Sequence, residues 1–196
     1  MLDAAVTFRD ALVPGAVLTM ASHSPLGWAI RRFLGRGFRK LAAQTPGPLP
    51  MKLCPNHTAI VVEHEGALWI GEAKFPRAGL TSVGQYVRWL NSGFLKDLIV
   101  SAPADALTMK KAAFCWMRAV RGTWYDFGAI PRLALKTALV DLGLPMGAEW
   151  AWYCTEGVWQ AYSLAGQDIY GKRYPTPLTD LKRVVEGKWR LVWRLT

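Results

Sequence analysis

Two short apolar runs stand out in the first half of the chain. His57-Thr58-Ala59-Ile60-Val61-Val62-Glu63 and Ala67-Leu68-Trp69-Ile70-Gly71-Glu72-Ala73 flank His64-Glu65-Gly66, and their β-branched and aromatic content with a central glycine predicts a β-hairpin. Ahead of it, Val13-Pro14-Gly15 reads as a turn into an apolar strand, Ala16 to Met20. Ser24-Pro25 then caps a helix carrying Trp28, Ile30, Arg31, Arg32, Phe33 and Leu34. Further on, the pattern predicts a helix over Val83 to Leu90, a strand over Leu95 to Val100, and a helix from Asp105 to about Arg121. Gly122 to Asp126 reads as a turn and Phe127 to Leu142 as helical. Tyr153-Cys154-Thr155-Glu156 opens another helix, with Val158, Ala161, Tyr162 and Ala165 at helical spacing. Tyr174 to Thr179, rich in proline, breaks the chain, and Trp189 to Leu195 alternates as a half-buried strand. Strands and helices are interspersed without regular βαβ units, so the expected class is α+β. Neither repeat nor linker divides residues 1–196, which predicts a single domain with a basic, Pro-rich loop at about 36–56.

Composition narrows this picture. Of 196 residues, 52% are apolar and 19% charged, which excludes a disordered chain and provides a sizeable interior. Lys and Arg outnumber Asp and Glu by 24 to 14, a balance that favours anionic partners. The basic residues gather at Arg31, Arg32, Arg36, Arg39 and Lys40. A solvated helix face is the ordinary role of such a run. Its interleaving with Trp28, Phe33 and Phe38 suits an anionic membrane surface, and without an accompanying nucleic-acid motif no specific nucleic acid is expected. The first residues carry Asp3 and lack a basic stretch before an apolar core, unlike a secretory signal. The most apolar stretch, Phe127 to Trp152, is interrupted by Arg132, Lys136, Asp141 and Glu149, well short of the ~20 apolar residues of a membrane span. Three widely spaced cysteines form neither a disulfide framework nor a zinc motif, so a reducing compartment is expected, cytoplasmic or inside a host cell.

Chemistry must come from a small pool. Cys154 lies where an aromatic run meets a helix N-terminus, whose N–H groups and dipole favour a thiolate. Cys115 sits in an apolar helix as a small hydrophobe, and Cys54 is in a Pro-flanked loop. Among the histidines, His57 opens the hairpin, His64 is at its tip, and His23 precedes a helix. A turn of two residues (Glu65-Gly66) or of four would set Ala59 opposite Glu72 and make Glu72 a diagonal neighbour of His57, roughly 7 Å away. A three-residue turn would put Glu72 on the other face. Glu63 lies too far along the strand, about 20 Å from His57.

Asn-His57-Thr-Ala-Ile-Val-Val, Glu72 in Trp-Ile-Gly-Glu-Ala, Tyr125-Asp126 and Tyr153-Cys154-Thr155-Glu156-Gly157-Val158 resemble, in this order, the YiiX/YebB-like cysteine hydrolases. These are circularly permuted relatives of NlpC-type papain-like enzymes, as is lecithin retinol acyltransferase. The resemblance runs from about Pro14 to Tyr162. It departs at Thr155, where the family has Ser, at Gly157, where a bulky residue is common, at Ala59 in place of Gly, and in the long loop before His57. It implies a permuted papain-like fold with an antiparallel sheet packed on helices, needing neither metal nor cofactor. It further implies Cys154 as nucleophile, His57 as base and Glu72 as orienting residue, acting on an amide or ester in a peptide, cell-wall or lipid substrate. Tyr125 and Tyr153 become candidate oxyanion or substrate-lining residues, while Asp126 equally suits a helix cap. The rival reading is a non-catalytic module of the same fold, bacterial or from a phage, that binds lipid or cell-wall material.

Overall fold

The computed structural model describes residues 7–74, 76–126, 151–152, 154–171 and 175–195. Six strands form one sheet: β1 (Val17–Ser22), β2 (His57–His64), β3 (Ala67–Glu72), β4 (Gly79–Ser82), β5 (Leu95–Ala102) and β8 (Arg190–Arg194). Their order is β4-β3-β2-β1-β5-β8, and every neighbouring pair is antiparallel. Two short strands, β6 (Trp124–Tyr125) and β7 (Ala151–Trp152), pair in parallel beside it. The described helices are α1 (Pro25–Gln44), α2 (Val83–Asn91), α3 (Ala106–Cys115), α4 (Cys154–Leu164) and α5 (Pro177–Val185). The protein is therefore α+β, as its pattern predicts.

The apolar run of β2 is continuous because both faces of the sheet are covered. Ile60 and Val62 pack with Val17, Ala112, Trp116, Val158 and Tyr162 under α3 and α4. Ala59 and Val61 face the other way, onto Leu18, Met20, Ile70, Tyr86 and Leu98 beneath α2. Alternate side chains of a strand point to opposite faces, so a central strand covered on both sides must be apolar at every position.

Several helix starts follow from local chemistry. Ser24 accepts a hydrogen bond from the Gly27 N–H at 2.9 Å and Asp105 accepts from Leu107 and Thr108, each at 3.0 Å, which satisfies donors that a helix leaves unpaired at its N-terminus.

Other boundaries differ from expectation. The loop expected at about 36–56 begins later, because α1 continues to Gln44 and the prolines that stop it start at Pro46. The helix expected from Asp105 to Arg121 is α3 followed by a π-helical turn, Trp116–Val120. The expected turn at Gly122 to Asp126 contains β6, and β4 had no counterpart in the pattern. The expected break over Tyr174 to Thr179 is in part the start of α5, whose first residue is Pro177. Proline is well placed there, since its fixed φ suits a helix and its missing N–H is one that would be unpaired anyway. Cys115 is half-buried rather than enclosed. The helix expected over Phe127 to Leu142 lies outside the described residues.

Candidate active site

The site is assembled at the start of β2. Asn56 donates its backbone N–H to the Met20 carbonyl at 2.9 Å. Its side chain accepts from the Ser22 N–H at 3.1 Å and donates to the Ser22 carbonyl at 3.0 Å. These bonds lock the beginning of β2 against the end of β1 and set His57 opposite Met20.

The hairpin turn fixes the next member. Glu65 (φ 52°) and Gly66 (φ 72°) are both left-handed, as a two-residue type I′ turn requires. His64 pairs with Ala67 and Ile60 with Gly71, so Glu72 falls on the face of His57. The His57 Nε2 lies 2.9 Å from Glu72 Oε2, with side chains 20% and 5% exposed.

Glu72 is held from four sides. Its Oε2 also accepts from the Tyr86 hydroxyl at 3.0 Å, and its Oε1 accepts from Lys74 Nζ at 3.2 Å and from Thr81 Oγ1. Burial works against the charge, yet the His57 hydrogen bond and charge, followed by Lys74 and Thr81, lower its pKa to about 2. No local sequence signal marks Tyr86, Thr81 or Lys74. They belong to α2, β4 and the segment after β3, and only the strand order brings them to one carboxylate.

Nε2 is committed to Glu72, and Cys154 is the other group that acts on the His57 ring. Burial disfavours the imidazolium, and hydrogen bonding to Cys154 and to Glu72, with the charges of both, outweighs it and raises the His57 pKa to about 10. Cys154 is the first residue of α4 and 4% exposed. Gly157 lets that helix approach closely, because a Cβ there would stand 3.1 Å from a Val120 methyl, which leaves little room for the bulky residue common in the resembling family. Tyr125 is buried, and its hydroxyl pKa is raised by burial and by the charges of Cys154 and Asp126. Tyr153 lies outside the described residues.

A second buried carboxylate lies behind the site. Asp180 on α5 accepts from Thr58 Oγ1 at 2.5 Å and Thr19 Oγ1 at 3.2 Å. Thr155 donates to Thr58 at 3.2 Å, and the Cys154 Sγ is 3.8 Å from Thr155 Oγ1. The residues following His57 and Cys154 are thus joined to each other. No sequence signal marked Asp180, since its helix begins inside the proline-rich stretch.

The remaining candidates sit apart. Burial pushes the half-buried Cys54 thiol up to about 11, against the pull of Arg31. His64 meets Glu65 at 3.5 Å at the hairpin tip. A cleft of about 200 Å³ opens over the site, lined by His57, Glu72, Tyr125 and Lys74 and walled by Leu26, Ile30, Trp89 and Phe94.

Among solved structures, the metalloprotein YiiX from Escherichia coli O157:H7 is similar. The match has a TM-score of 0.54 and 19% identity, and covers 91% of this chain and 84% of that one. At that identity the likeness is one of fold. No family model matches the chain, and no curated protein matches it. Among the described residues the donor set does not suit a resident metal. Both Glu72 oxygens are occupied by hydrogen-bond donors, leaving one sulfur and one ring nitrogen where a protein zinc site takes three or four ligands. Among the described residues, no group of three or more His, Cys, Asp or Glu could hold a metal ion.

Proposed function

We propose that the chain is a cysteine hydrolase of amide or ester bonds, acting through Cys154, His57 and Glu72. The observation that carries this reading is the 2.9 Å contact of His57 with a buried, negatively charged Glu72, on a ring whose pKa the neighbouring Cys154 also raises. A histidine held between a thiol and a carboxylate is the arrangement that makes a cysteine nucleophilic.

In this mechanism His57 takes the Cys154 thiol proton, the sulfur attacks the substrate carbonyl and the C=O π electrons move onto oxygen. Collapse of that intermediate expels the amine or alcohol, which takes its proton from His57, and leaves a thioester on Cys154. Water, giving a proton to His57, then attacks the thioester; the C–S bond breaks, the carboxylic acid leaves and the sulfur recovers its proton from His57. Glu72 accepts from Nε2 throughout, which fixes the ring's orientation and stabilises the imidazolium. The Cys154 N–H at the start of α4 is the first oxyanion donor, and the Tyr125 hydroxyl in the cleft wall is the second. Cys154 itself is 4% exposed, so a carbonyl approaches it past His57 and Tyr125, which line the cleft.

That same burial favours a second reading, a module of this fold that binds through its cleft without turnover. Intact-mass analysis after exposure to an activated ester such as p-nitrophenyl acetate separates the two. The hydrolase reading expects one transient acyl adduct that maps to Cys154 and disappears in Cys154→Ala. An adduct on Cys54 or Cys115 alone, or none at all, would sink it.

A further inference from the structure

Between Asp10 and Glu63 the chain contains no Asp or Glu, and the whole of α1 lies in that stretch. Its inward row, Gly27, Ile30 and Leu34, is buried, and Phe38 and Leu41 continue it against the core. The outward row carries Trp28, Arg32, Arg36 and Arg39, with Phe33 and Lys40 beside it, all exposed. Trp28 keeps 64% of its surface in solvent. Arg31 is not part of this face, because its guanidinium donates to the Ser22 carbonyl at 2.5 Å. Leu26, near the start of the same helix, and Phe94 are also exposed large apolar side chains and line the cleft rim.

A basic run that serves only as a solvated face ordinarily alternates with acids that pair with it along the helix. Here the charges have no acid in their own helix, and aromatic side chains stand exposed among them. Cations interleaved with aromatics, on a helix whose other side is buried, match the requirements of the interface between water and an anionic bilayer: cations for the headgroup phosphates, rings for the boundary below them. Phosphate contacts to a nucleic acid would use the cations but would not call for Leu26 and Phe94 in the open beside them.

We propose that the outer face of α1, together with the cleft rim at Leu26 and Phe94, docks on an anionic lipid bilayer and holds the cleft mouth at the membrane surface. This goes beyond the hydrolase reading and stands whether or not Cys154 turns over substrate.

The test is sedimentation of the full chain with vesicles of phosphatidylcholine alone or mixed with phosphatidylglycerol, at low and at high salt. The protein should follow the mixed vesicles, and less so as salt rises. One basic side chain near an anionic surface contributes about fivefold in partitioning, so the combined variant Arg32→Gln, Arg36→Gln, Arg39→Gln, Lys40→Gln should bind several hundredfold more weakly, about six hundredfold if the four act independently. Trp28→Ala and Phe33→Ala should weaken what binding remains at high salt. Cys154→Ala should sediment as the wild type does, which separates this surface from the chemistry of the site. Failure to follow the anionic vesicles would overturn the proposal, as would binding that the four-site variant leaves unchanged. Tight binding to a short RNA duplex without vesicle binding would assign the face to nucleic acid and overturn it equally.

Discussion

His57 lies between two partners, and each can be removed separately. In Glu72→Gln the acceptor charge is lost, so the ring should titrate well below its present value of about 10. Its ring protons followed by NMR against pH would show this, with a fall in esterase rate of at least about tenfold. Cys154→Ala removes the other partner and should also lower the His57 pKa; an unchanged titration would mean that sulfur and ring do not interact in solution. Asp180 offers a contrast. It is fully buried and accepts from Thr19 and Thr58, so Asp180→Ala leaves two enclosed hydroxyls without their acceptor. A loss of about 2–4 kcal/mol is expected in urea unfolding. If the Thr58–Thr155 link helps position Cys154, Asp180→Asn should retain more acylation than Asp180→Ala does.

Among the elements, the β2–β3 hairpin shows what the sequence could disclose. A two-residue turn with Gly66 sets the register, and the register brings Glu72 to His57, so one local signal carried a tertiary contact. The turn is not optimal, because Glu65 occupies a left-handed conformation (φ 52°) that Asn tolerates better. Glu65→Asn should therefore stabilise the protein by roughly 0.5–1 kcal/mol, read as a higher Tm. β4 was illegible for the opposite reason. Gly79-Leu80-Thr81-Ser82 is too short to display a period of two, and its pairing with β3 depends on distant chain. Thr81 and Tyr86 stayed hidden with it, as Asp180 stayed hidden in α5 behind a proline that starts a helix as readily as it ends one. The residues proposed to do chemistry announced themselves through short contexts, whereas those that support them came from strand order.

For the whole molecule, the site predicts a pH dependence of stability. The folded pKa of His57 lies above its usual 6.5, so its contribution is complete below that value and is lost as pH rises through about 10. The folded pKa of Glu72 lies below its usual 4.5, so its contribution is complete above that value and is lost as pH falls through about 2. Both are fully present between about pH 4.5 and 6.5. Charge repulsion in a chain of net charge +10 relaxes toward alkaline pH and opposes the His57 loss. The difference in Tm between wild type and His57→Gln isolates the pair, and it should shrink from pH 7 to pH 10. The sheet order adds a consequence in time. β2 is flanked on both sides, while β4 is a four-residue edge, and edges open before centres do. Amide protons of residues 79–82 should exchange with solvent deuterium sooner than those of residues 58–62. Each such opening withdraws Thr81 from Glu72 while His57 keeps its place, so the carboxylate's surroundings would fluctuate far more often than the protein unfolds.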